Sequence, residues 1–125
     1  MPNKLQRIRI ESGSIASDGT ATAYSLPVRG KILSIRINYP ENGCGFNLLT
    51  DELVSQTIVN DLQSSIDMVI YPRTPVCNNS GSENVTYDGT NKIHDAFVVH
   101  GRLLVTITDG TEDETLTADV IMEEY

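Results

Sequence analysis

Val28-Arg29-Gly30-Lys31-Ile32-Leu33-Ser34-Ile35-Arg36-Ile37-Asn38-Tyr39-Pro40 decides the fold. From Leu33 the odd positions hold Leu, Ile, Ile and Tyr, and the even positions from Ser34 hold Ser, Arg and Asn. Alternation with period two marks a strand with one dry face and one wet face. The pattern returns as Val99-His100-Gly101-Arg102-Leu103-Leu104-Val105-Thr106-Ile107-Thr108. Both copies read Val-x-Gly, a basic residue, two aliphatics and a strand. A glycine lacks the Cβ that restricts positive φ, so each copy is expected to enter its strand through a corner or bulge. Both strands are expected at the centre of a sandwich. Leu33, Ile35 and Ile37 would face the core, together with Leu104 or its neighbour Leu103.

Working outward, the same alternation predicts further strands over Gln6–Glu11, Thr20–Leu26, Phe46–Leu49, Val54–Val59, Ile66–Tyr71, Ile93–Val99 and Leu116–Met122. Pro27 ends the second of these or sets it on an edge, since proline donates no ladder bond. Pro40-Glu41-Asn42-Gly43 is a turn carrying a strong Asn-Gly signal. Asn60–Ser65 reads as a polar link with room for one helical turn. Asp-Gly-Thr occurs at 18–20, 88–90 and 109–111, before or between strands, as hairpin chemistry requires. Many short strands, frequent turns and no amphipathic helix predict an all-β fold. The expected form is a single-domain antiparallel β-sandwich over 1–125, jelly-roll or Ig-like, with about eight strands. A candidate N-terminal arm covers 1–11 and a long polar loop covers 74–92.

Bulk composition agrees. A chain of 125 residues can bury roughly two thirds of its unfolded surface without staples. Sparse alanine and abundant Thr, Ser, Ile and Val favour strands. The net charge of −8 argues against a general nucleic-acid binder. Charge is also segregated: Lys4, Arg7, Arg9, Arg29, Lys31 and Arg36 lie in the first third, while only acidic charges follow Arg102. That segregation suits either a solvated acidic end or complementary surfaces on identical subunits or a partner. No apolar run approaches the ~20 residues of a membrane helix. The first residues lack the apolar segment of a signal peptide, so synthesis without a cleaved leader is expected. Cys44 and Cys77 have no CxxC spacing and are not expected to hold zinc; free thiols are expected, and a bridge across the intervening loop stays open.

Reactive chemistry is sparse, and the chain is not expected to be an enzyme or to carry a cofactor or metal. Asp109–Glu114 could offer carboxylates to calcium, but it departs from the EF-hand spacing at Thr111, Glu114 and Val120, so a solvated turn is the better reading. His94 and Asp95 are adjacent on a predicted strand and point to opposite faces, which prevents a shared proton. No Gly-x-Ser-x-Gly elbow accompanies them. Asn78-Asn79-Ser80 and Asn84-Val85-Thr86 match the glycosylation pattern, and without a leader they signal only an exposed polar loop. Loops of this length usually carry function. The candidate partner-binding residues are Lys4, Arg7 and Arg9 on the arm, and Asn78, Asn79, Asn84 and Tyr87 on the loop.

Gly30-Lys31-Ile32-Leu33, Tyr39-Pro40, Tyr71-Pro72-Arg73 and Val99-His100-Gly101-Arg102-Leu103, followed by a closing strand, together resemble small all-β proteins encoded among the virion structural genes of tailed bacteriophages. Those are capsid decoration (cement) and other head-associated components. The resemblance spans about residues 24 to 125. It implies a non-enzymatic virion part, made in the host cytoplasm and located on the capsid surface or at the head-tail region. Implied partners are the major capsid protein or other virion proteins and further copies of the chain, with no nucleic acid and no membrane. A carbohydrate- or receptor-binding module of a phage fibre or tail is the alternative.

Overall fold

The computed structural model describes residues 4–77, 80–81, 85–86 and 90–124. Its strands are β1 (Lys4–Glu11), β2 (Ala21–Tyr24), β3 (Val28–Asn38), β4 (Cys44–Asp51), β5 (Thr57–Ser64), β6 (Met68–Ile70), β7 (Thr74–Pro75), β8 (His94–Asp95), β9 (Val98–Thr108) and β10 (Thr117–Glu124). All pairings are antiparallel. The eight longer strands form two four-stranded halves, β6-β3-β10-β1 and β2-β9-β4-β5. With β7 and β8 set aside, the order is first-last-third-sixth in one half and second-seventh-fourth-fifth in the other. That is the double Greek key of a jelly roll, and it decides between the two sandwich forms the alternation allowed.

The repeated Gly-led segments are where the halves join. They pair with each other: Val28 lies opposite Gly101 and Gly30 opposite Val99. Beyond the glycines the strands separate. β3 continues against β10, and β9 continues against β4. Each glycine therefore lies inside its strand and not ahead of it, so the strands begin at Val28 and Val98. Both glycines have positive φ, 145° at Gly30 and 135° at Gly101. A Cβ on Gly30 would stand 2.1 Å from the Glu123 carbonyl oxygen, so only glycine lets β10 approach here.

Parity at the core differs from the expectation in one place. Met122 pairs with Ile32 and Ile121 with Ser34, leaving Leu33 without a partner as a bulge. The bulge shifts the phase by one residue. Ile32 is consequently the buried residue, with Ile35 and Ile37, while Leu33 is half-buried and outside the core. In the second copy Leu103, Val105 and Ile107 point inward and Leu104 does not. Phe46 and Leu48 from β4 and Ala118, Val120 and Met122 from β10 fill the space between the halves.

Other boundaries moved for local reasons. The strand expected at Val54–Val59 is β5, starting at Thr57, and Val54 is exposed in the preceding turn. Asn60–Ser65, read as a link, belongs mostly to β5. Its polar residues conceal the strand because Asp61, at φ 48°, sits where the register against β4 slips. The strand expected over Ile66–Tyr71 shortens to β6. Ile93–Val99 divides between β8 and the start of β9.

Two serines close the joins. Ser25 Oγ accepts the Leu103 N–H at 2.9 Å and donates to the Leu26 carbonyl. Ser12 Oγ accepts the Leu116 N–H at 2.9 Å and donates to the Gly13 carbonyl. Both serines are buried, and these bonds satisfy groups that would otherwise lose water without compensation. The first and third Asp-Gly-Thr turns touch, with the Gly110 N–H donating to the Gly19 carbonyl at 3.0 Å. Most of the second, at 88–90, lies outside the described residues.

Candidate interaction surfaces

The outer face of β6-β3-β10-β1 gathers arginines around one carboxylate. Antiparallel register sets Arg9 of β1 and Arg36 of β3 on either side of Asp119 of β10. Arg9 engages Asp119 through two bonds, Nε to Oδ1 at 2.9 Å and Nη2 to Oδ2 at 3.2 Å. The hydrogen bond from Arg9 is the main cause holding the Asp119 carboxyl below its ordinary range. Partial burial opposes this, and the charges of Arg9, Arg7 and Arg36 add to it. Glu11, at the same parity as Arg7 and Arg9, also acts on the Arg9 guanidinium, and Glu123 of β10 lies opposite Lys31 of β3, so cations and carboxylates interleave across this face. An open groove of about 490 Å³ runs beside it, bordered by Arg36, Asp67, Met68, Val69 and Thr117.

Of the residues singled out from sequence, Lys4, Arg7 and Arg9 all lie on β1, which pairs with β10 over its whole length. They thus project from a sheet strand. Arg7 and Arg9 share a face with Arg36, whereas Lys4 has the opposite parity. Asn78, Asn79, Asn84 and Tyr87 lie outside the described residues. Arg36 and Asp119 were not singled out. Their signal was present in the wet-face positions of two alternating strands, but joining them required the strand order.

A second surface lies at the end of the sandwich where β3 and β9 begin. Two adjoining cavities of about 320 and 280 Å³ share Gln6, Pro27 and Val28. Arg7 and Arg9 line one, Arg29, His100 and Glu124 line the other, and Leu26 stands 83% exposed at the rim. β1 is an edge strand, so its outer edge borders this groove. Nearby, Arg102 stacks its guanidinium 4.4 Å from the Tyr24 ring centre, and its Nε donates to Asp51 at 3.0 Å.

The opposite end is acidic. The β9–β10 turn brings Asp109, Glu112 and Asp113 there, and the neighbouring turns add Asp18 and Glu41. The Asn42 amide donates to Glu114 Oε2 at 3.2 Å, tying the β3–β4 and β9–β10 turns together. The Gln63 amide bridges Asp61 at 2.8 Å and Asp109 at 2.9 Å. Asp109 and Glu114 are thereby directed to separate partners. Among the described residues no group of three or more His, Cys, Asp or Glu side chains could hold a metal ion.

The remaining reactive groups are dispersed. Asp95 accepts the Ala96 N–H at 2.7 Å, and both it and His94 are exposed on β8. Cys44 is buried and Cys77 exposed, and both are free thiols. Burial, reinforced by the charge of Glu114, pushes the Cys44 thiol up to about 11. Burial likewise raises the Tyr39 hydroxyl to about 12. No helix among the described residues is long and apolar enough to cross a membrane.

No protein-family model matches this sequence, and no curated protein matches it. Two solved structures are similar in outline. One is a chain from the cryo-EM structure of the giant freshwater prawn Macrobrachium rosenbergii extra small virus (XSV) VLP. It shares 9% identity at a TM-score of 0.35, over 96% of this chain and 76% of that one. The other belongs to infectious bursal disease virus, Gx strain. It shares 12% identity at a TM-score of 0.27, over 99% of this chain and 37% of that one. Likeness at this level carries no functional information.

Proposed function

We propose that the chain is a non-enzymatic structural protein of a virus particle, acting through surface burial against shell proteins. The observation that carries this reading is the jelly roll with Arg7, Arg9 and Arg36 grouped on its outer face. Jelly rolls serve as viral shell subunits and as lectin domains. Fold alone does not choose between them, so the choice rests on the surface. A lectin site wants aromatic rings gathered on a concave face; this chain has no Trp, exposed Tyr24 carries the Arg102 guanidinium over its ring, and exposed Tyr71 follows β6 in the other half. A sheet face with grouped arginines suits an acidic protein patch instead, where charge sets register and encounter rate. The resemblance to phage head components narrows the proposal to a capsid decoration or head-associated protein of a tailed phage. Repetition over many shell sites turns modest affinity into avidity.

The test is co-sedimentation with capsids or procapsids. The wild-type chain should travel with the particles. Replacing Arg7, Arg9 and Arg36 together by Ser should lower occupancy more at low than at high salt, because salt already screens the wild-type contact. A chain that never co-migrates with particles refutes the proposal. A deficit independent of salt refutes the cationic contact.

A further inference from the structure

The two ends of the sandwich differ in charge: the turns at one are acidic throughout, and the other carries cations among carboxylates. Glu41 and Glu112 are exposed at the end formed by the β3–β4 and β9–β10 turns, and the connections 12–20, 39–43, 65–67 and 109–116 at this end include no Lys or Arg; the nearest strand cations are Arg9 and Arg36, with Asp119 between them. Towards the other end, Arg7 and Arg29 line the groove between β1 and the β2–β3 link with Glu124 between the strands, and Arg9 borders it further along β1. Strands of 8 to 11 residues separate the ends by roughly 30 Å at ~3.3 Å per residue. That is about three or more screening lengths at physiological salt. An approaching molecule therefore meets the charge of one end and not the overall net charge.

We infer that copies of this chain associate head-to-tail, the acidic β9–β10 turn of one copy seating in the Arg7–Arg29 groove of the next. Charge complementarity names the occupant. The turn is also built for docking. The Asp113 N–H donates to Ile15 O at 3.0 Å, the Glu114 N–H to Thr111 O at 3.2 Å, and the Ile15 N–H to Glu114 O at 2.8 Å. A tip already held by backbone bonds loses little freedom on binding. The groove adds the exposed Leu26 side chain and the open edge of β1, so apolar burial can accompany the charge contact. Because the meeting surfaces differ, the contact is heterologous and propagates into a ring or an open chain.

Sedimentation velocity on the purified chain tests this without particles, so its failure leaves the shell reading standing. Wild-type protein should form species beyond two copies as concentration rises at about 0.15 M salt, and dissociate at about 1 M, where the screening length falls to ~3 Å. Two variants separate the ends: Arg7→Glu with Arg29→Glu, and Glu41→Lys with Glu112→Lys. Asp113 is left unchanged because its φ of 68° disfavours Lys. Each variant alone should associate at least about tenfold more weakly than wild type, and mixing the two should restore assembly. Circular dichroism matching wild type verifies that both fold, and the wild-type salt response stands even if one does not. Wild type that stays monomeric at every concentration, stops at two copies, or assembles equally at both salts overturns the inference. So does a monomeric wild type that instead captures a poly-glutamate peptide, which would assign the groove to another acidic partner.

Discussion

Gly30 should be the least replaceable glycine at the join between the halves, and Gly101 its internal control. The two occupy matching places in the repeated segment, with φ of 145° and 135°. They differ in surroundings. A Cβ at Gly30 would lie 2.1 Å from the Glu123 carbonyl oxygen and 2.9 Å from its carbon, whereas a Cβ at Gly101 meets nothing within 4 Å. Gly101→Ala therefore pays only for the backbone conformation, about 1–3 kcal/mol. The lower chain entropy of the unfolded alanine variant offsets about 0.4–1 kcal/mol of that. Gly30→Ala pays the same and also pushes β10 off β3, at a further ~1–3 kcal/mol by the usual cost of overpacking. A chain of this size has roughly 6–15 kcal/mol of stability, so the Gly30 variant loses a large share of it. Urea unfolding followed by far-UV circular dichroism in high salt, where association would not contribute, measures both. Equal losses, or a larger loss at Gly101, would refute the claim that close approach of β10 fixes Gly30.

The bulge at Leu33 predicts that Ile32→Ala costs about 2–5 kcal/mol and Leu33→Ala clearly less, in the same unfolding assay; the reverse order would place Leu33 in the core. The raised values of Cys44 and Tyr39 predict loss of stability at alkaline pH. Their folded values exceed the ordinary ones of 9.0 and 10.0, so the contribution is complete below about 9 and lost as pH rises through about 11 and about 12. Tyr39→Phe should remove the later part of that loss and cost ~1 kcal/mol at neutral pH, through the lost bond to the Leu62 carbonyl.

The alternation from Ile32 to Tyr39 and its echo at Arg102–Thr108 were readable because strands buried on one face write their burial into every second residue. Turns were equally readable at Pro40–Gly43, where the Gly43 N–H donates to Pro40 O at 2.9 Å. Features that depend on an unpaired residue were not. The bulge at Leu33 leaves a run of aliphatics that suits either phase, and only the pairing with Ile121 and Met122 selects Ile32. β5 was hidden for the same reason, because Asn60 and Asp61 occupy the slip in its register. Arg7 and Arg9 were legible as wet-face cations. Their neighbour Arg36 is 27 positions further along and joins them only because β10 inserts between β1 and β3. No local pattern carries such an insertion.

The same topology explains how a modest charge imbalance becomes a directional one. In an antiparallel sandwich each strand reverses the chain, so alternate connections fall at the same end. The connections after β1, β3, β5 and β9 carry Asp18, Glu41, Asp67 and the Asp109–Glu114 turn. Those after β2 and β6 lead to Arg29 and Arg73, and the Arg73 guanidinium reaches back to the Leu33 carbonyl at 3.2 Å. Glu52 follows β4 at this end, and Asp51 beside it is already paired with Arg102. The sequence already segregates charge, and the fold gathers the turn carboxylates into one acidic pole, while Glu123 and Glu124 of β10 return to the opposite end beside Lys31 and Gly30. Mutual repulsion within the acidic pole opposes folding, and the fold offsets it where it can, through the amides of Gln63 and Asn42. Glu112 and Glu41 have no such relief within their own turns, and they are the carboxylates that a cationic partner surface would relieve most.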